Sequence, residues 1–123
     1  MIGDRVLVDT NAILYLLNGD TTLANILEGK TAYVSFVTEL ELFCFKSMDE
    51  EENQKIREVL NHCTIIDINK KIKEATIAVR QLYNLKLPDS IIAATAIYLD
   101  MPLLSADMDF KKISELNLYF FEF

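Results

Sequence analysis

Short apolar runs and longer amphipathic stretches alternate along this chain. Residues 5 to 9, RVLVD, form a β-branched run of the kind a buried parallel strand uses. A helix is predicted to follow at once. Asn11 or Thr10 can cap it, and Ile13, Leu14, Tyr15, Leu16 and Leu17 supply its apolar body until Asn18, Gly19 and Asp20 stop it. Thr21 or Thr22 opens a second short helix that Gly29 closes. TAYVS, 31 to 35, is a second strand, and FVTELELFCF after it places its apolar residues at helical spacing. Asp49 to about Asn61 is a charged amphipathic helix, and CTIIDI is a third strand.

Asn69 caps a long helix from Lys70 to about Tyr83, with Ile72, Ala75, Thr76, Val79, Leu82 and Tyr83 on one stripe. Pro88 breaks that pattern. Asp89 and Ser90 begin the helix SIIAATAIYL, whose Ala93, Ala94 and Ala96 permit close packing. MPLLS is a fourth strand, a short helix follows Asp107, and LYFFEF is a final strand. Its aromatics belong to the core or, on an apolar edge, to an interaction surface. Strands and helices therefore alternate, which predicts an α/β fold with a parallel sheet covered by helices on both faces. Ligands in such folds bind at the carboxyl ends of the strands, where Asp9 stands.

The chain has 123 residues, which suits one domain over 1–123 with a core burying roughly two-thirds of the unfolded surface. No apolar stretch reaches the ~18 residues of a membrane span, and the first residues lack the pattern of a signal peptide. A soluble, cytoplasmic chain with no membrane partner is expected. Cys44 and Cys63 lack CxxC spacing and read as buried thiols in a reducing compartment. His62 has no second imidazole to share a zinc ion with. A net charge of −7 argues against a nucleic-acid partner only if the charge is evenly spread. Lys70, Lys71, Lys73, Arg80, Lys86, Lys111 and Lys112 could form a local basic rim, although solvated helix faces explain the same residues. The acidic run Asp49 to Asn53 is more simply a helix's first turn.

Carboxylates gather near the strand ends. Asp9 ends the first strand, Glu39 and Glu41 follow the second, Asp89 opens the helix before the fourth, and Asp107 and Asp109 come after the fourth. Two bare carboxylates ~4 Å apart repel by up to about 4 kcal/mol at an effective dielectric near 20, so such a cluster must take up protons or hold metal. Oxygen ligands without Cys or His favour Mg²⁺ or Mn²⁺, and such ions point to phosphodiester hydrolysis. Singly, each acid also has a plain structural use: an Asx-type turn at Asp9, an N-cap at Asp89, a capping box in TELE, Thr38 to Glu41.

On these residues the chain resembles the PIN-domain nucleases, in particular the VapC-like toxins of type II toxin–antitoxin modules. VLVDTNAILYLL is similar to the family's opening strand and its Asp-Thr-Asn signature. SFVTELEL resembles the segment with Ser, Thr three residues later and the family glutamate three beyond, which selects Glu41 over Glu39. LKLPDSIIAATAIYLDMPLLSADMDF resembles the closing block. The resemblance implies a three-layer PIN-like fold with a five-stranded parallel sheet flanked by helices. It makes Asp9, Glu41, Asp89 and Asp107 the catalytic, metal-binding acids for Mg²⁺ or Mn²⁺. Asn11 or Thr10 would steady the first carboxylate, Ser105 stands where the family often has Thr, and Asp109 is an auxiliary. It further implies an RNA substrate, with Lys86, Lys111 and Lys112 on the rim that holds it, a homodimer, and a cognate antitoxin that blocks the site. The rival readings are a catalytically silent PIN-fold binding module and a phosphoacceptor receiver domain. The latter usually pairs acids after its first strand and carries a late Lys-Pro, and neither feature occurs here.

Overall fold

The structure is a computed structural model that describes residues 4–44 and 49–122. Phe45 of the FVTELELFCF run and the terminal Phe123 lie outside the described residues. Five strands, β1 (Arg5–Val8), β2 (Thr31–Ser35), β3 (Cys63–Ile66), β4 (Leu103–Ser105) and β5 (Leu118–Phe120), form one sheet in the order β3-β2-β1-β4-β5. Each neighbouring pair is parallel, so all the strand ends that lead into the following segments lie along one rim. The helices are α1 (Thr10–Leu17), α2 (Thr21–Leu27), α3 (Phe36–Phe43), α4 (Glu50–Asn61), α5 (Lys70–Tyr83) and α6 (Leu87–Tyr98), with a 3-10 helix at Met108–Lys112.

Side-chain alternation along the central strands builds two cores. Leu7 and Leu103 face a cluster with Val79, Ile92, Ala93, Ala94 and Ala96 of α5 and α6. Val6, Val8 and Leu104 point the opposite way, into a cluster with Ala12, Ile13, Leu23, Ile56 and Leu60 of α1, α2 and α4. A strand buried on both faces is apolar at every position, which is why VLV reads as a run rather than as an alternation. This is the expected three-layer α/β arrangement.

Several predicted boundaries shift, each for a local reason. The N-cap of α1 is Asp9, neither Thr10 nor Asn11; α2 opens at Thr21 as expected, with Asp20 as its N-cap, and in both caps the carboxylate accepts a backbone N–H. Helix α6 begins at Leu87, with Pro88 inside its first turn, where a missing N–H leaves no bond unmade. Asp89 therefore lies within that turn and does not begin the helix. Leu82 departs from the α5 stripe and is 70% exposed. The cysteines are not both buried: Cys44 is exposed and Cys63 only partly covered. Asn69 caps α5 as expected, and Asp49, expected inside the first turn of α4, is its N-cap. The apolar end of the chain is a half-buried edge, with Tyr15 and Phe121 in an edge-to-face contact at 6.0 Å.

Phe110 fastens the 3-10 helix to the core, where its ring is fully buried. Phe110→Ala is expected to lower unfolding stability by about 3–5 kcal/mol, measured by urea denaturation. A loss under about 1 kcal/mol would show that the ring is not the anchor.

Candidate active site

Asp9 and Asp107 follow the ends of β1 and β4, Asp89 sits in the first turn of α6, and Glu41 comes from the last turn of α3. Asp9 leaves β1 in extended conformation (φ −72°, ψ 160°) and is only 5% exposed. Its Oδ1 accepts from the Thr10 backbone N–H at 2.8 Å, and its Oδ2 accepts from Ser105 Oγ at 2.7 Å. Burial pushes the Asp9 carboxyl up to about 6 from an ordinary 3.8; those two hydrogen bonds oppose the shift, and the charges of Asp89 and Asp107 add to it.

Ser105 occupies the end of β4 beside β1. Its hydroxyl donates to Asp9 while its oxygen accepts from the Asp107 backbone N–H at 3.0 Å, so one side chain orients two neighbouring acids. Asp107 in turn caps the 3-10 helix by accepting from the Asp109 N–H at 2.9 Å. Carboxylate oxygens of Asp89, Asp107 and Asp109 lie within 4.8 Å of one another. Asp109, expected as an auxiliary, thus stands in the tightest group of acids. Burial raises Asp89, and repulsion from Asp107, Glu41 and Asp109 raises it further, with Lys86 opposing.

Glu41, on α3, stands outside that close group but within electrostatic reach of Asp89. Its Oε1 accepts from Thr10 Oγ1 at 2.7 Å, while Thr10 Oγ1 also lies 3.1 Å from Thr38 Oγ1. Thr10 is therefore tied to Asp9 through its backbone and to Glu41 through its side chain. Glu39, two residues before Glu41, projects from a different face of the helix. Asn11 does not hold Asp9; its Oδ1 faces the Ala106 N–H at 3.4 Å, a loose tie to the segment after β4. Of the basic candidates, Lys86 precedes α6 within electrostatic reach of Asp89, and Lys111 Nζ sits 3.9 Å over the Phe120 ring. Lys112 is exposed at the end of the 3-10 helix.

Thr38 was not legible as part of this network. The plain reading made it a cap of a TELE box, but the N-cap of α3 is Ser35, and Thr38 lies inside the helix, fully buried. The available signal was its place one turn before Glu41 on the same face, where its hydroxyl needs a partner.

The family model of the PIN domain matches residues 6–116. The chain belongs to the PIN-domain family. Among solved structures, this PIN domain is 33% identical to a chain of a toxin–antitoxin complex from Klebsiella pneumoniae, with a TM-score of 0.78 over 90% of this chain and 94% of that one. VapBC2 from Rickettsia felis, solved bound to a DNA fragment from its promoter, gives 22% identity and a TM-score of 0.85 over 96% and 99%. VapBC-1 from nontypeable Haemophilus influenzae gives 21% and 0.83 over 94% and 97%. The last two likenesses concern the fold alone. A comparison with curated proteins finds no match.

The raised Asp9 sets the sign of a pH effect in metal-free protein. Its folded pKa lies above the unfolded value, so the fold holds a proton that the unfolded chain has released between about pH 4 and 6. Asp9 thus contributes least to stability above pH 6, at a cost of up to about 3 kcal/mol relative to pH 4. Asp9→Asn is expected to raise the stability of metal-free protein at pH 7 by about 1–3 kcal/mol, with the gain shrinking toward zero at pH 4, as read from denaturation curves. A variant less stable than wild type at pH 7 would contradict this balance.

Proposed function

We propose that this PIN domain is a metal-dependent endoribonuclease that hydrolyses RNA phosphodiester bonds in the cytoplasm, the toxin of a toxin–antitoxin pair. PIN domains are generally nucleases. The observation that carries the reading is the convergence of Asp9, Glu41, Asp89, Asp107 and Asp109 from distant parts of the chain, with burial and mutual repulsion raising Asp9 and Asp89. A fold that keeps such charges together is suited to a divalent cation, and the all-oxygen donor set fits Mg²⁺ or Mn²⁺.

Asp9, Glu41, Asp89 and Asp107 are the acids we assign to the ion, with Asp109 able to join them. When bound, such an ion neutralises the pocket and activates water for attack on the phosphodiester. The protein's own groups set the stage. Ser105 and the Thr10 N–H keep the Asp9 carboxylate in one orientation, and Ser105 couples it to the segment bearing Asp107. The N-terminal turns of α1 and α6 carry partial positive charge toward Asp9 and Asp89, which offsets part of the repulsion. Lys86, Lys111 and Lys112 supply local positive charge for the RNA strand in a chain of net charge −7. No helix among the described residues is long and apolar enough to cross a membrane.

The antitoxin rests on the Klebsiella pneumoniae relative, which was solved in a toxin–antitoxin complex. A homodimer is part of the same reading. Purified protein is expected to cut RNA with Mg²⁺ or Mn²⁺, to lose activity with a chelator, and to lose it in Asp9→Asn. Equal cleavage by that variant would remove Asp9 from the mechanism. Metal binding without cleavage over a broad RNA panel would favour a silent binding module instead.

A further inference from the structure

Thr38 is fully buried, yet its hydroxyl ends a short polar chain that leads outward to an exposed acid. Thr10 Oγ1 stands 3.1 Å from Thr38 Oγ1 and 2.7 Å from Glu41 Oε1. A hydroxyl has one proton to donate, and an ionised carboxylate only accepts. The Thr10 proton therefore goes to Glu41, and the longer contact is a bond that Thr38 donates to the Thr10 oxygen. The direction of the chain, Thr38 to Thr10 to Glu41, is fixed by the acid at its end, and each bond polarises the next.

The use of this hydroxyl sets Thr38 apart from other buried helix threonines. Inside helices a threonine hydroxyl commonly bonds back to the carbonyl four residues earlier. Thr76 does so to Ile72 O and Thr95 to Ile91 O, each at 2.7 Å. Thr38 turns instead from α3 to the first residue of α1. Thr38 and Glu41 are three residues apart on one helix face, so the chain closes a loop: α3 supplies both its buried start and its exposed end, with Thr10 clasped between.

We infer that Thr38 is a positioning residue for the metal-binding acids. It fixes the Thr10 hydroxyl, whose single proton then holds the exposed Glu41 side chain toward Asp89 in place of the several rotamers open to a free glutamate. The inference rests on the assignment of Glu41 to the divalent ion.

Valine matches the shape of threonine without the hydroxyl, so Thr38→Val removes the donor and leaves the packing, while Thr38→Ser keeps the donor. Titration with Mn²⁺ alone is expected to show a dissociation constant raised about tenfold in Thr38→Val and within about twofold of wild type in Thr38→Ser, a small effect for groups that orient metal ligands. RNA cleavage at low Mn²⁺ should follow the same order, and excess Mn²⁺ should restore Thr38→Val. Wild-type affinity in Thr38→Val would overturn the inference, as would equal weakening in both variants, which marks a packing role. A crystal structure of metal-free Thr38→Val supplies a readout independent of the ion. Glu41 released from Thr10 supports the inference, and the contact kept unchanged overturns it. Mn²⁺ bound by wild type without RNA cleavage would sink the nuclease reading alone, and leave Thr38 to be judged by affinity and structure.

Discussion

Asp9 has to be both buried and charged, and much of the chain's organisation follows from that conflict. A carboxylate that loses its water needs the lost hydrogen bonds replaced. Here the Thr10 N–H and the Ser105 hydroxyl replace two of them. They do not close the balance, because the carboxyl still sits near 6 in place of 3.8. The remaining deficit is what the divalent cation we propose would relieve.

The sheet makes this arrangement possible. With parallel strands in the order β3-β2-β1-β4-β5, the ends of β1 and β4 are neighbours, so Ser105 reaches Asp9 across 96 residues of sequence. The same rim is where α1, α3 and the 3-10 helix begin, and the N-terminal turn of a helix tolerates a carboxylate. Packing of α5 and α6 on one face, and of α1, α2 and α4 on the other, braces the strands that carry the rim from both sides. Phe110, buried one residue beyond Asp109, ties the last acidic segment to the same core.

What could be read from the sequence was whatever local periodicity or capping chemistry decides. The limits of α5 follow from Asn69 and the spacing of Ile72, Thr76 and Val79, whereas the choice of Asp9, Glu41, Asp89 and Asp107 among the acids comes from the family resemblance. The details that failed depend on tertiary partners. Asp9 outcompeted Thr10 and Asn11 as a cap because Thr10's hydroxyl is engaged with Glu41 and Asn11 faces Ala106. Pro88 reads as a break, but a proline in a first turn begins a helix as readily as it ends one. Leu82 fits the α5 period yet is 70% exposed, while Tyr83 beside it packs on the core. Thr38 was hidden because a buried hydroxyl announces itself only through the partner that the fold brings to it.

The central claim is that the fold holds Asp9 in a strained charge state that a divalent ion relaxes. Carboxyl ¹³C NMR titration of Asp9, in metal-free protein and again with Mg²⁺, measures this directly. The account predicts a metal-free midpoint near 6 that moves below the ordinary 3.8 when Mg²⁺ is added. A metal-free midpoint at or below 3.8, unchanged by Mg²⁺, would contradict it.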